Sequence, residues 1–222
     1  MQSLTQKVWK FAPPGGLFDE TVLGNLFPEA SPGARRLLLH RAVSAGEVIR
    51  LKPGLYLLAP EFRKTELHPF ALSARLHGPS HISLESALSF HGLIPEAVYQ
   101  VASVTIARSR SFHTPVGVFT FQRVPAHDPL AGVESVKLGD AAWAYIATPL
   151  RAIADMVYLN RQIRWERDGV RYLTESLRME PDDLLQLSFA PCEAICRSIR
   201  NRRVIGYLEG LQKEVDHGRS NA

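Results

Sequence analysis

A helix that leads directly into a tight hairpin, over residues 31–58, is the feature that most constrains the fold of this chain. Ser31 can cap the helix by accepting a backbone N–H, and Pro32 suits the first helical position. Gly46 is expected to end the helix. Four apolar residues are expected to form its buried stripe: Leu37, Leu38, Val43 and Ala45.

The hairpin is predicted from two short β-prone runs, at residues 48–51 and 55–58. Between them, Pro53 fixes φ and Gly54 permits a positive φ, which suits a tight turn. Apolar residues at helical spacing in 17–27, with Asp19 as a possible cap, predict a supporting helix before the main one. A basic helix followed by a hairpin is the core of a winged helix-turn-helix, and we expect this fold over residues 1–60.

Charge is distributed unevenly along the chain. The 222 residues carry a formal charge of +4, and seven Lys or Arg against four acids in the first 60 residues account for +3 of it. DNA is therefore the expected partner of the first part. The predicted contacts on the helix are Arg35, Arg36, His40 and Arg41, and those on the hairpin are Arg50 and Lys52. The alternative is a solvated basic face on a domain that docks proteins.

The remaining residues, 61–222, predict a separate α/β domain, which makes the whole chain α+β. Four runs with alternating apolar residues, at 101–107, 116–124, 133–138 and 142–147, predict a mainly antiparallel sheet. Helical patterns follow in a tail, at about 150–159, 169–178, 182–187 and 192–215. Within the last of these, a second basic group consists of Arg197, Arg200, Arg202 and Arg203.

Several classes of function are disfavoured by what the sequence lacks. It has no apolar run long enough to cross a membrane and no signal segment, so we expect a cytoplasmic protein with no membrane partner. Cys192 and Cys196 lack a partner pair, which argues against a disulfide framework or a zinc site. Glycine-rich phosphate loops, HExxH and GxSxG are absent, so we expect no enzymatic activity, no catalytic residue, no metal site and no cofactor.

Two further groups of residues have side chains that could take part in catalysis or metal binding. Asp128, Glu134 and Lys137 faintly suggest a metal-dependent nuclease, but the spacing of Glu134 and Lys137 sends them to opposite faces of a strand. His81 is expected in a core or capping role. Asp155, taken alone, is expected to be a solvent-facing or capping acid.

In three blocks, the chain resembles the AbiEi-type antitoxins, the predicted transcriptional regulators of bacterial abortive-infection, or type IV, toxin–antitoxin systems. The first block is Ala45-Gly46-Glu47-Val48-Ile49-Arg50 with Lys52-Pro53-Gly54-Leu55-Tyr56. The second is His81-Ile82-Ser83, Ser86-Ala87-Leu88 and His91-Gly92-Leu93. The third is Ala147-Thr148-Pro149-Leu150-Arg151-Ala152 with Asp155. Their order and spacing over residues 17–160 are the specific part of the resemblance.

The resemblance implies a regulator with two activities. Its N-terminal winged helix would bind inverted repeats in its own promoter, which suits a dimer on DNA, and repress transcription. Its C-terminal domain would counteract a nucleotidyltransferase-like toxin encoded by a neighbouring gene, with no enzymatic activity of its own. The alternative is a protein-interaction module that masks a toxin without sequence-specific DNA binding.

Overall fold

A computed structural model describes residues 3–95, 100–139 and 142–221 and shows an α+β protein. The first 60 residues alternate helices and strands in the order α1 (Leu4–Phe11), β1 (Leu17–Asp19), α2 (Glu20–Leu26), α3 (Pro32–Ser44), β2 (Val48–Lys52) and β3 (Leu55–Leu58). The three strands form one antiparallel sheet in the order β1-β3-β2. The predicted main helix and hairpin are confirmed, and the supporting helix follows a short strand.

Side-chain caps explain where these helices begin. The Ser31 hydroxyl accepts a hydrogen bond from the Ala34 backbone N–H at 3.2 Å, and Pro32 occupies the first turn of α3. At the start of α2, the Asp19 carboxylate accepts the backbone N–H groups of Thr21 and Val22, each at 3.0 Å. Both caps satisfy backbone donors that have no partner within the helix.

The second sheet has six strands in the order β6-β7-β5-β4-β9-β8. All four predicted strands are present, as β5 (Gln100–Thr105), β7 (Gly117–Arg123), β8 (Val133–Leu138) and β9 (Ala142–Ala147). The structure adds β4 (Ser80–Ile82) at the centre and β6 (Arg110–Thr114) at one edge. The sheet is mixed, because β5 pairs with β7 and β4 with β9 in parallel, while the other three pairs are antiparallel.

Helices flank this sheet and form the tail of the chain. They are α4 (Pro69–Leu76), α5 (Leu84–Phe90), α6 (Pro149–Leu159), α7 (Trp165–Asp168), a π-helical turn (Tyr172–Ser176), α8 (Pro181–Leu185), α9 (Cys192–Ile199) and α10 (Arg202–Asn221). The single helix predicted for 192–215 is therefore two helices. They are separated at Arg200, whose φ of 52° lies in the left-handed region that ends a helix.

The hairpin β2–β3 lies between two apolar clusters. Tyr56 and Leu58 pack with the helices of the first 60 residues. Leu55 and Leu57 face the other way and share a cluster with residues of α4 and β7, namely Leu72, Leu76, Phe119 and Phe121. Successive residues of a strand point to opposite faces, so both faces of β3 are covered. The predicted boundary at residue 60 is thus spanned by apolar packing.

No helix in the described part of the chain has the length and apolar character needed to cross a membrane.

Candidate functional site

An exposed basic face lies on α3. Arg36, His40 and Arg41 are all exposed, and their spacing of four and five residues places them on one side of the helix. None of their three side chains forms a hydrogen bond or ion pair with the described residues. Their donors are therefore available to a ligand outside the chain.

Arg35, the neighbouring predicted contact, is used inside the protein. Its Nη1 atom donates hydrogen bonds to the backbone oxygens of Phe27 at 3.3 Å and Ala30 at 3.0 Å. These carbonyls belong to the segment that connects α2 to α3. Arg35 therefore fixes the relative position of the two helices.

The predicted apolar stripe of α3 is partly wrong. Leu37 is 51% exposed, whereas the fully buried residues of the helix are Leu39 and Ala42. Leu38 and Val43 are partly buried, as expected for flanking positions. Leu37 lies two residues, or about 200°, from Leu39, so one helix cannot bury both against the same neighbour.

The two predicted hairpin contacts lie in different surroundings. Arg50 is exposed, and its side chain forms no hydrogen bond or ion pair with the part of the chain that the structure describes. Lys52 instead donates from Nζ to the Leu76 backbone oxygen at 2.7 Å. Burial lowers the pKa of the Lys52 ammonium, and the nearby cations Arg75 and Arg110 lower it further. Lys52 thus secures the hairpin to the C-terminal end of α4.

A second group of polar residues is buried around the first half of α6. The Asp155 carboxylate, fully buried, accepts from Arg151 Nε at 2.9 Å and from Ser83 Oγ at 2.8 Å. His81 Nε2 lies 3.4 Å from the same carboxylate. We call these four residues the Asp155 cluster. It brings together the second and third blocks of the sequence resemblance.

The charges of Asp155 and Arg151 balance each other inside the protein. Burial by itself would raise the pKa of the Asp155 carboxyl, because it disfavours the charged form. The Arg151 guanidinium and the hydrogen bonds from His81 and Ser83 outweigh burial and hold this pKa below its usual value. Asp155 is therefore a buried carboxylate, and the expectation of a solvent-facing or capping acid is wrong. The spacing of Arg151 and Asp155 by four residues on one helix was the available signal.

No protein-family model matches the chain, and no curated protein matches it significantly.

A cleft of about 440 Å³ opens beside the Asp155 cluster. His81 and Arg151 contribute to its wall, and so do three side chains that are 39–50% exposed, those of Ile106, Leu130 and Tyr145. The exposed Asp128 also lines the cleft. This cleft therefore combines apolar walls with buried polar groups.

The side chains expected to form a nuclease site do not come together in the structure. Glu134 and Lys137 both lie on β8, three residues apart, and so point to opposite faces of the sheet. Among the residues that the structure describes, no group of three His, Cys, Asp or Glu side chains is arranged to hold a metal ion. The geometry offers no site for the nuclease hypothesis in that region.

One residue of the basic group in the tail, Arg203, has a structural role. Arg203 donates from Nη1 and Nη2 to backbone oxygens at the end of α6 and in the following loop, those of Val157, Tyr158, Asn160 and Ile163. A cation at these orphan carbonyls complements the negative end of the helix. Arg203 therefore joins α10 to α6.

Proposed function

We propose that this protein is a DNA-binding transcriptional regulator in which residues 1–60 form a winged helix-turn-helix. The order of elements supports this proposal, because helix, strand, helix, helix, strand, strand with the sheet order β1-β3-β2 places α3 after a supporting helix and before a hairpin. In this arrangement the second of the paired helices enters the major groove.

The observation that carries the proposal is the exposed, unpartnered basic face of α3 together with Arg50. Arg36 and Arg41 are long, planar donors suited to phosphates and guanine edges, and His40 lies between them. Arg35 and Lys52 are assigned to support, since both are bonded to backbone oxygens of the protein. The contact set is therefore Arg36, His40, Arg41 and Arg50.

The proposal is tested by gel shift against the DNA upstream of the chain's own reading frame. We expect the Arg36→Ala/Arg41→Ala variant to bind at least tenfold more weakly, because each lost phosphate or base contact costs on the order of 1 kcal/mol or more. The matched control is Arg171→Ala/Arg197→Ala, which removes two exposed arginines from the tail. Undiminished binding by the α3 variant, or equal loss in the control, would remove the assigned surface.

We further propose that the protein is an antitoxin that autoregulates its operon and counteracts a nucleotidyltransferase-like toxin. This second activity follows from the sequence resemblance, and one observation favours a protein partner. Trp143 and Tyr145, on the same face of β9, are 58% and 48% exposed. Exposed aromatic side chains are enriched in protein interfaces. The surface formed by these two residues is our candidate for toxin contact.

Co-expression with the product of the neighbouring toxin gene tests this contact. We expect Trp143→Ala/Tyr145→Ala to lose at least half of the growth rescue, because Trp and Tyr are enriched among the interface residues whose truncation costs about 2 kcal/mol or more. Trp9→Ala is the matched control, since Trp9 is 45% exposed on α1. Full rescue by the β9 variant would show that toxin control does not use this surface.

A further inference from the structure

The cleft beside the Asp155 cluster holds a buried arginine whose hydrogen-bonding capacity is not used by the protein. A guanidinium has five N–H donors. Arg151, whose side chain is 1% exposed, uses one from Nε on Asp155 and one from Nη1 on the Ala131 backbone oxygen at 2.6 Å. No acceptor for its Nη2 atom lies among the described residues.

The unpaired edge of Arg151 has access to the cleft. Within the described residues, only Arg63 has a fully buried side-chain nitrogen without a hydrogen-bond partner. Arg151 Nη2, which also lacks a partner, is therefore not sealed from solvent, and the cleft that Arg151 lines provides the access. Its free N–H groups are held in place by the two bonds on the other side of the guanidinium.

Both oxygens of the Asp155 carboxylate already accept other donors of the cluster. Of the Asp155 oxygens, Oδ1 takes the Arg151 Nε donor, while Oδ2 takes Ser83 Oγ and approaches His81 Nε2. The cleft therefore has donors at its base and apolar walls toward its opening. A ligand that satisfies both needs an acceptor head, best a carboxylate that can pair with a guanidinium edge, on an apolar body.

We propose that this cleft binds a small carboxylic acid with an apolar body, its carboxylate on the free edge of Arg151 and its body against Ile106, Leu130 and Tyr145. The cleft volume of about 440 Å³ suits a molecule of this size. The binding of DNA by α3 does not enter this proposal, so the two succeed or fail separately. Asp128 at the rim is exposed, and solvent screens its opposing charge.

The probe is 1-naphthaleneacetate, compared with the neutral 1-naphthaleneacetamide by isothermal titration calorimetry on the full chain. We expect the acid to bind with a Kd below about 1 mM and at least about tenfold more tightly than the amide, because a charge-assisted hydrogen bond to a buried guanidinium distinguishes them. Absence of binding by the acid at this level, or equal binding of acid and amide, would overturn the proposal.

Two variants locate the bound acid. Leu130→Asp places a carboxylate at the wall, whereas Leu130→Asn adds a neutral side chain of the same shape. Leu130 is 50% exposed, so neither substitution disturbs the core. We expect Leu130→Asp to bind the acid about three- to tenfold more weakly than Leu130→Asn does. The two variants should bind the amide with equal affinity. Equal affinities of the two variants for the acid would place binding elsewhere and contradict the assignment.

A third variant addresses the head group. Arg151→Lys keeps the positive charge but not the planar fork, and circular dichroism verifies that it folds. We expect the preference for acid over amide to fall at least threefold in a folded variant. An unchanged preference would exclude Arg151 as the partner. If this variant does not fold, the Leu130 pair and the comparison of acid with amide decide the matter.

Discussion

At the scale of single residues, the Asp155 cluster shows how the part of the chain after residue 60 holds a charge in its interior. Asp155 and Arg151 are buried as a pair, and removing one partner leaves the other charge without compensation. Ser83 and His81 complete the hydrogen bonding of the carboxylate. The cluster ties α6 to the central strand β4 and to the turn that follows it.

Asp155→Asn is predicted to destabilise the protein by about 3–5 kcal/mol, because it leaves Arg151 charged, buried and without its anion. Urea unfolding followed by circular dichroism measures this change. Glu175→Gln is the matched control, since Glu175 also pairs with an arginine four residues away but at the surface, where such pairs contribute about 0–1 kcal/mol. A loss below about 1 kcal/mol for Asp155→Asn would show that the buried pair is not stabilising.

The same carboxylate makes stability depend on acid. The folded protein holds the pKa of Asp155 below its ordinary value of 3.8, so the unfolded chain binds the proton more tightly. The contribution of Asp155 is therefore fully present above the unfolded pKa and is lost as pH falls through it toward the folded pKa. We expect unfolding free energy measured between about pH 5 and pH 2 to fall more steeply in the unmodified protein than in Asp155→Asn. Parallel pH profiles would contradict this assignment.

Residue-level roles were predictable only in part. The exposure of Arg36, His40 and Arg41 follows from helical periodicity, which is a local property. The roles of Arg35 and Lys52 do not, because their acceptors are backbone oxygens brought close by tertiary folding. Lys52 bonds to a residue 24 positions away, and no sequence spacing indicates that contact.

At the scale of elements, the hairpin β2–β3 connects the two parts of the chain. The preceding helix α3 and the turn of the hairpin were predictable because Ser31, Pro32 and Gly54 act through local backbone geometry. Gly54 has the positive φ that the turn requires, 79°. The apolar sequence of β3 agrees with the burial of all four residues, but the residues that cover its two faces were not predictable. An unbroken apolar run indicates burial without indicating the neighbours.

Strands β4 and β6 were missed for a physical reason. The three residues of β4 are too few to show alternation, and β6 has the polar sequence RSFHT at the edge of the sheet. Without β4 its parallel pairing with β9 could not be predicted, and without β6 the strands β5 and β7 appear consecutive, which hides their parallel pairing. The resulting expectation of a mainly antiparallel sheet was therefore too simple.

Leu57→Ala is predicted to destabilise the whole protein by about 2–5 kcal/mol, as expected for removing a buried leucine from a packed cluster. Leu57 is 1% exposed and faces Phe119 and Phe121 from across residue 60. Leu58→Ala is the matched control, because Leu58 is equally buried on the opposite face, among the N-terminal helices. Thermal or urea unfolding should give comparable losses. A cost below about 1 kcal/mol for Leu57→Ala alone would show that the hairpin is not held by the second sheet.

At the scale of the whole molecule, the basic residues of α3 and the hairpin fall into two groups with different roles. Four exposed cationic or titratable residues on α3 and β2 are left for an external partner, whereas Lys52 at the turn is held against Leu76. Part of the excess positive charge of the first 60 residues is therefore exposed on the surface, and part of it is used in contacts within the protein. The part of the chain after residue 60 contains the Asp155 cluster, the cleft beside it and the exposed aromatic pair of β9.

The salt dependence of DNA binding tests the central claim most directly. Affinity for the chain's own upstream DNA is measured by fluorescence anisotropy at several salt concentrations, for the unmodified protein, Arg36→Ala/Arg41→Ala and the control Arg171→Ala/Arg197→Ala. Each phosphate contact contributes a slope of about −0.9 in log affinity against log salt. We predict that the α3 variant has a shallower slope, by about one to two units per protomer, and that the control keeps the original slope. An unchanged slope in the α3 variant would contradict the account.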